Sequence, residues 1–313
     1  MDPPHKPRLI LLIRHGESAS NKDKSINQHT PNHLVPLTEA GWRQARHTGV
    51  ELLKLLNLDE GADGIVSELT RKHAIPDDRR KLLKQDYKRL NTSKDSNIVF
   101  YTSPYRRTRE TLKGVIDVLD EFNELNCGVT VCDGEKYLPL GNQRLAHWQC
   151  PIFPSGVYEN SESNTNIASM DLSGGDHTYL HYRVKEEPRI REQDFGNFQE
   201  VSAMSHVMST RSSYGHFFFR FPQGESAADV YDRCASFQET LFRHFERGSK
   251  KKRDVVALVT HGIYLRVFLM KWFRWTYEEF ESMTNVPNGS IVVMELDETL
   301  GRYVLRTTLP KWC

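Results

Sequence analysis

The chain has 313 residues, 38% hydrophobic and 27% charged, with a formal net charge of +1 at pH 7. This is the composition of an ordinary globular protein with ample material for a core, and its balance shows no basic excess of the kind nucleic acid or an anionic membrane would select. No window approaches the roughly 18 apolar residues of a membrane span, and the run Leu9 to Ile13 is too short for a signal-peptide core. The five cysteines, Cys127, Cys132, Cys150, Cys234 and Cys313, are odd in number, irregular in spacing and contain no C-x-x-C. A disulfide framework or zinc site is therefore not expected; a reducing, cytoplasmic compartment is, with the nucleus left open.

In chain order, "RLILLI" (Arg8 to Ile13) reads as a buried strand, short, aliphatic and followed by Gly16. "LTEAGWRQARHTGVELLKLLN" carries a helix-start signal at Thr38, after which Ala45, Leu52, Leu53 and Leu56 recur at roughly helical spacing. Residues 59–96 are charge-mixed and read as short helices in an insertion. "NIVFYTSP" (Asn97 to Pro104) is a second strand ending in a turn, and "RRTRETLKGVIDVLDEFNEL" a helix with Leu112, Val115, Ile116 and Leu119 on one face. "GVTVC" reads as a further strand. Residues 133–180, rich in Gly, Asn, Ser, His and Pro, contain a long surface loop. "GESAADVYDRCASFQETLFRHF" is another amphipathic helix with Ser226 and Asp229 spaced to cap its start. It closes on the basic turn "RGSKKKRD", read as a solvated loop. "DVVALVTHG" is a strand ending at His261, followed by the helix "IYLRVFLMKWF"; "SIVVMEL" and "RYVLRTTL" form a closing hairpin-like pair. Strands alternating with helices predict an α/β sheet with helices on both faces.

Three of these strands end in reactive residues. Ile13 leads into Arg14-His15-Gly16, Tyr101 leads to Ser103-Pro104 with Arg106 and Arg107 just after, and Val259 leads into Thr260-His261-Gly262. Ligands of open α/β sheets bind beyond the carboxyl ends of the strands. One rim thus gathers two imidazoles and several guanidiniums, a set suited to a dianionic oxygen cluster such as phosphate. A single strand-end His-Gly carries little weight; two, one preceded by arginine, carry much more. The aromatic run "HFFFRFP" (His216 to Pro222) reads first as core or cap packing, with an apolar lining as the sharper alternative.

The motifs "IRHGES" and "THG" together resemble the histidine phosphatase superfamily in its phosphoglycerate-mutase-like branch. The resemblance extends through "LTEAGWRQA", "TSPYRRTRET", "REQDFGNF" and "PQGESAADVYDR". "IREQDFGNFQ" and "RYVLRTTLPKW" resemble more closely the fungal broad-range acid phosphatases, a group associated with sterol transport. The resemblance implies a three-layer α/β sandwich with a mostly parallel central sheet, spanning 1–313 as one domain with cap insertions near 59–96 and 133–180. It also implies residue roles. His15 matches the histidine that takes the phosphoryl group and Arg14 the phosphate-binding arginine beside it. Asn21 falls near the pocket asparagine, and Arg107 matches the arginine of S-P-x-x-R. Glu192 matches the acidic proton donor, His261 the second histidine, and Gly262 the glycine after it. Tyr105 stands where leucine is more usual.

From these residues, Arg14, Arg107 and a protonated His261 would offset the charge of a phosphomonoester with no metal or cofactor. His15 must be neutral at one ring nitrogen, the other held by an acceptor such as the Gly16 carbonyl. Glu192 would protonate the leaving oxygen, its pKa raised by an apolar setting near Phe195 and Phe198, which predicts an acid-leaning optimum. Ser18 and Thr260 are weaker candidates for pocket donors. The substrate expected is a small phosphorylated molecule, and a homo-oligomer is left open. The rivals are a phosphoglycerate-mutase-type phosphotransferase and a non-catalytic adaptor in lipid traffic; against the adaptor stands the completeness of the set Arg14, His15, Arg107, Glu192 and His261.

Overall fold

The computed structural model describes residues 6–56, 63–75, 83, 97–127, 157–159, 180–196, 201–246 and 255–312. Seven strands, β1 (Leu9–Arg14), β2 (Asn97–Thr102), β3 (Val157–Glu159), β4 (His181–Glu186), β5 (Val255–Thr260), β6 (Ile291–Asp297) and β7 (Arg302–Leu305), form one sheet in the order β3-β4-β2-β5-β1-β6-β7. The four central strands β4, β2, β5 and β1 run parallel. β3 and β6 lie antiparallel to their inner neighbours, and β7 returns against β6 as the closing hairpin.

β1 is buried along its length because helices cover both faces, which is why it reads as a continuous aliphatic run rather than an alternating one. Its residues still divide by the period of two. Leu9, Leu11 and Ile13 pack in one core with Leu112, Val115, Ile116 and Leu119 of α4 (Arg106–Cys127) and with Leu52 and Leu53 of α2 (Glu39–Leu55). Ile10 and Leu12 pack in the other with α6 (Ala227–Glu246) and α7 (Gly262–Phe273). Each such side chain removed from water contributes about 1.5–3 kcal/mol. The predicted starts of two helices are realised. Thr38 accepts from the Gly41 N–H at 3.0 Å. Ser226 and Asp229 form a reciprocal cap, the Ser226 N–H donating to Asp229 and the Asp229 N–H to the Ser226 hydroxyl.

The remaining elements are α1 (Ala19–Lys22), α3 (Asp63–Lys72), α5 (Val201–Tyr214) and α8 (Tyr277–Ser282). α3 supplies the helix expected within 59–96 and buries Val66 and Leu69 against the first core. β3 falls inside the stretch read as a long loop, and β4 and α5 were not anticipated. In β4 only Tyr182 and Val184 of "HYRVKE" are buried, so its strand character comes from parallel pairing with β2 rather than from an apolar run. The aromatic run 216–222 is divided: Phe217 and Phe221 are buried, whereas Phe218 is 56% exposed. The expected strand "GVTVC", the basic turn "RGSKKKRD" (whose Asp254 immediately precedes β5) and Phe198 lie outside the described residues.

The strand register sets the position of the rim residues. β1 and β5 pair from Leu9↔Val255 to Arg14↔Thr260, and β2 ends beside β5 at Thr102↔Val259. The residues immediately after these strands, His15, His261 and Ser103, therefore emerge side by side at the carboxyl end of the sheet.

Candidate active site

The strand ends are knitted together before any side chain acts. The His15 N–H donates to the Thr260 carbonyl at 3.0 Å and the Ser103 N–H to the Val259 carbonyl at 3.1 Å. The Gly16 N–H donates to the Thr111 hydroxyl at 3.0 Å. Asn288 Nδ2 donates to the carbonyls of His15 (3.0 Å) and Gly16 (3.3 Å). The chain turns tightly at Gly16, where an added Cβ would sit 2.5 Å from the Gly41 carbonyl oxygen.

His15 is buried, with Nδ1 2.7 Å from the carbonyl oxygen of Gly16. A carbonyl only accepts, so Nδ1 carries the proton and Nε2 presents its lone pair. Burial first, then the positive charges of Arg107 and Arg14, hold its pKa well below the ordinary histidine value. These surroundings favour a neutral imidazole with the proton on Nδ1.

Arg107 stands over the lone pair, its Nε–H donating to His15 Nε2 at 3.3 Å. Its Nη1 donates to the main-chain oxygen (2.7 Å) and side-chain oxygen (3.0 Å) of Asn32, and its face lies 4.9 Å from the Tyr105 ring centre. Arg14 is tied to the Val286 carbonyl through Nη1, and its buried Nε has no hydrogen-bond partner among the described residues. The His261 and His15 ring centres are 5.2 Å apart, edge to face. His261 Nε2 lies 2.9 Å from the Ser103 hydroxyl, and Tyr105 packs edge-on at 5.1 Å. Its buried Nδ1 has no hydrogen-bond partner among the described residues and lies 3.9 Å from Glu192 Oε2.

Glu192, 8% exposed, accepts from the Gln193 N–H at 3.1 Å. Burial raises its pKa, against the opposing pull of Arg107, that N–H, Arg14 and Arg233. The raised pKa agrees with the sequence expectation. Phe195 packs edge-on against Phe221 at 5.0 Å in the same loop.

Burial, then Arg107, His15, Arg233 and Arg14, hold the pKa of His261 well below the ordinary value, which favours the neutral ring. A phosphoryl dianion placed among these groups opposes that bias, because its charge favours the imidazolium.

Arg14, His15, Arg107, Glu192 and His261 are thus brought together. Gly262 begins α7 directly behind His261, with Asn285 against the place a Cβ would take. Asn21 sits at the rim with its side-chain oxygen engaged by the Ser18 N–H (3.1 Å) and by Asn288 (3.2 Å), which makes it a clasp for the His15 turn. Ser18 bonds Asn21, and the Thr260 hydroxyl donates to the Ile190 carbonyl at 2.7 Å, so both hold the frame. Asn32, Thr111 and Asn288 are ordinary polar residues with no local mark in the sequence, whereas Ser103 stands at a strand end the sequence singles out. Ligand atoms of His15, Glu192 and His261 lie within 4.8 Å of one another, a spacing a metal ion could use. The adjacent guanidiniums of Arg14 and Arg107 make an anion the better electrostatic match.

A mostly parallel α/β sheet with paired histidines and arginines at its carboxyl rim defines an enzyme built to handle phosphoryl groups. The chain belongs to the histidine phosphatase superfamily (branch 1), whose family model matches residues 10–75 and 176–308, and it is a phosphatase. It is 62% identical over 311 residues, covering 98% of this chain and 91% of the relative, to the broad-range acid phosphatase DET1 of Saccharomyces cerevisiae. It is 34% identical over 294 residues, 93% of this chain and 74% of the relative, to the phosphoglycerate mutase-like protein AT74H of Arabidopsis thaliana. Among solved structures, the Rv3214 product of Mycobacterium tuberculosis superposes with a TM-score of 0.51 at 19% identity, covering 98% of this chain and 99% of that one, a likeness of fold.

Proposed function

We propose that this protein is a broad-range acid phosphatase that hydrolyses small phosphomonoesters through a phosphohistidine on His15, without a metal ion. The observation that carries the proposal is the state of His15: Nδ1–H held by the Gly16 carbonyl, and Nε2 directed at Arg107. In the first step the Nε2 lone pair attacks phosphorus and the bond from phosphorus to the ester oxygen breaks. Glu192 gives its proton to the departing oxygen. Arg107, Arg14 and His261 stabilise the charge on the transferring group. In the second step water attacks the phosphohistidine, Glu192 takes up a proton from that water, and His15 leaves with its lone pair restored. The fixed guanidiniums supply the electrostatic work a metal would otherwise do. Similarity to the yeast acid phosphatase supports the substrate class.

A cytoplasmic location accords with the cysteine pattern; no helix among the described residues is long and apolar enough to cross a membrane. The resemblance to fungal acid phosphatases associated with sterol transport extends the proposal to a role in that traffic, tested by sterol transfer in cells lacking the gene.

The decisive experiment is phosphate release from p-nitrophenyl phosphate across pH 4 to 9 in chelator, for the wild type and His15→Ala. Hydrolysis in chelator that disappears in the variant supports the scheme. Equal activity in both proteins removes His15 as nucleophile, and activity that requires added metal removes the metal-free mechanism.

A further inference from the structure

The loop that carries Glu192 is organised by a single side chain from another element. Arg233, on α6, uses all five of its N–H donors. Nη1 donates to the carbonyls of Arg189 (2.6 Å) and Arg191 (2.9 Å), and Nη2 to the carbonyl of Glu192 itself (3.1 Å). The remaining two donors close on one carboxylate, Nε to Glu225 Oε1 (3.1 Å) and Nη2 to Glu225 Oε2 (3.0 Å).

Glu225 in turn binds the same loop. It accepts from Arg191 Nη2 at 2.6 Å and from the Asp194 N–H at 3.0 Å. Its main-chain oxygen accepts from Gln193 Nε2 at 2.8 Å, and its N–H donates to the Asp194 carbonyl at 2.8 Å. Residues 189–194 are thus bound at nearly every position by an Arg233–Glu225 pair whose side chains are only 11% and 15% exposed.

We propose that Arg233 is a positioning residue of this enzyme, with Glu225 as its partner: it sets the place of the Glu192 carboxyl beside His261. The proposal rests on the assignment of Glu192 as the general acid. A guanidinium is needed because lysine has three donors on one nitrogen and cannot span three carbonyls and a carboxylate. The charge matters as well as the fork. Glu192 is faced by Arg14 from β1, Tyr105 just before α4, Arg107 in its first turn, His261 after β5, Arg211 from α5 and Arg233 from α6. Arg233 adds to the pull of Arg107 and Arg14 against the effect of burial. Freed from Arg233, the carboxyl should hold its proton to higher pH.

The test compares the wild type, Arg233→Lys, Arg233→Gln and Glu192→Gln. The readouts are kcat and KM for p-nitrophenyl phosphate from pH 4 to 9, with amide hydrogen exchange across residues 187–196. Arg233→Lys should lower kcat about 10- to 100-fold with little change in KM, because misplacing a proton donor costs the transition state more than binding. Its exchange should quicken in 189–194 while the alkaline limb of the profile stays in place. Arg233→Gln should show the same loss and also move that limb to higher pH. A wild-type profile and wild-type exchange in both arginine variants, with Glu192→Gln strongly impaired on an alkyl phosphate, would overturn the role of Arg233 and leave the acid assignment standing. Wild-type kcat in Glu192→Gln on an alkyl phosphate, whose leaving oxygen needs a proton, would overturn the acid assignment, and with it this proposal. If Arg233→Gln does not fold, Arg233→Lys decides through kcat and exchange.

Discussion

Glu192 and His261 face each other across the site with Oε2 3.9 Å from Nδ1, both buried and both pushed toward their neutral forms. In the proposed mechanism the neutral carboxyl holds the proton that the leaving oxygen takes. Glu192→Gln keeps the shape of the side chain and removes the proton. It should lower kcat at pH 5 by about 100-fold or more, within the range of a lost general acid. The remaining activity should be less dependent on the leaving group's need for a proton, so activated aryl phosphates should retain more of it than alkyl phosphates. Steady-state kinetics on the two classes checks this.

The same carboxyl leaves a mark on stability. Its folded pKa is raised, so its contribution is fully present below the unfolded value of a glutamate and is lost as pH rises through the folded value. Glu192→Gln cannot ionise. Relative to the wild type it should gain thermal stability on going from pH 4 to pH 8, by a few degrees. Calorimetric melts at the two pH values measure the difference, and a constant gap between the proteins contradicts the raised pKa.

The histidines act in the opposite direction. His15 and His261 have folded pKa values well below the ordinary value, so the unfolded chain binds protons more readily than the folded one. Stability is present above the unfolded histidine pKa and falls as pH drops below it, by up to about 1.4 kcal/mol per pH unit for each ring. His261→Asn should lose less stability between pH 7 and pH 5 than the wild type does, read from urea midpoints.

Arg107 is held on three sides, by Asn32, by His15 and by the face of Tyr105. Lysine keeps the charge but reproduces neither the fork nor the stacking. Arg107→Lys should reduce kcat/KM about 100-fold, and Asn32→Ala, which removes the side-chain acceptor and leaves the main-chain one in place, by roughly 10-fold, in line with one charge-assisted hydrogen bond. Equal activity in Asn32→Ala and the wild type would show that Asn32 does not orient Arg107.

Glycines near the site differ in how much room they have. A Cβ on Gly41 would come within 2.1 Å of the Glu17 carbonyl oxygen, main chain against main chain. A Cβ on Gly262 would meet only the side chain of Asn285, whose residue is exposed. Gly41→Ala should destabilise the fold by about 1–3 kcal/mol or more, as overpacking does, whereas Gly262→Ala should fold normally. Thermal melts distinguish them.

The linear chain already marks the residues whose signals are local: the aliphatic strands, Thr38 and Ser226 at their helix starts, and the Arg14-His15-Gly16 and His261-Gly262 pairs, each announced by the strand before it. The strand-end pattern also places Arg106 and Arg107 at the rim; motif resemblance chose Arg107 between them and added Glu192, whose bare residue type in a loop carries no signal of its own. Folding chose the partners. Ser103 meets His261, Thr111 meets Gly16, Asn288 clasps His15, and Arg233 grips the Glu192 loop, each across a long separation in the chain. Ser103 is marked by the strand end before it, but Thr, Asn and Arg are common on any surface, and nothing near Thr111, Asn288 or Arg233 in sequence names their partners. Folding also made β4 a strand, because pairing with β2 supplies what two apolar residues do not, and it lowered the proton affinity of His261. Proton affinity is a sum over burial and charges brought together in space, and a linear chain does not contain that sum until the sheet register has placed the groups side by side.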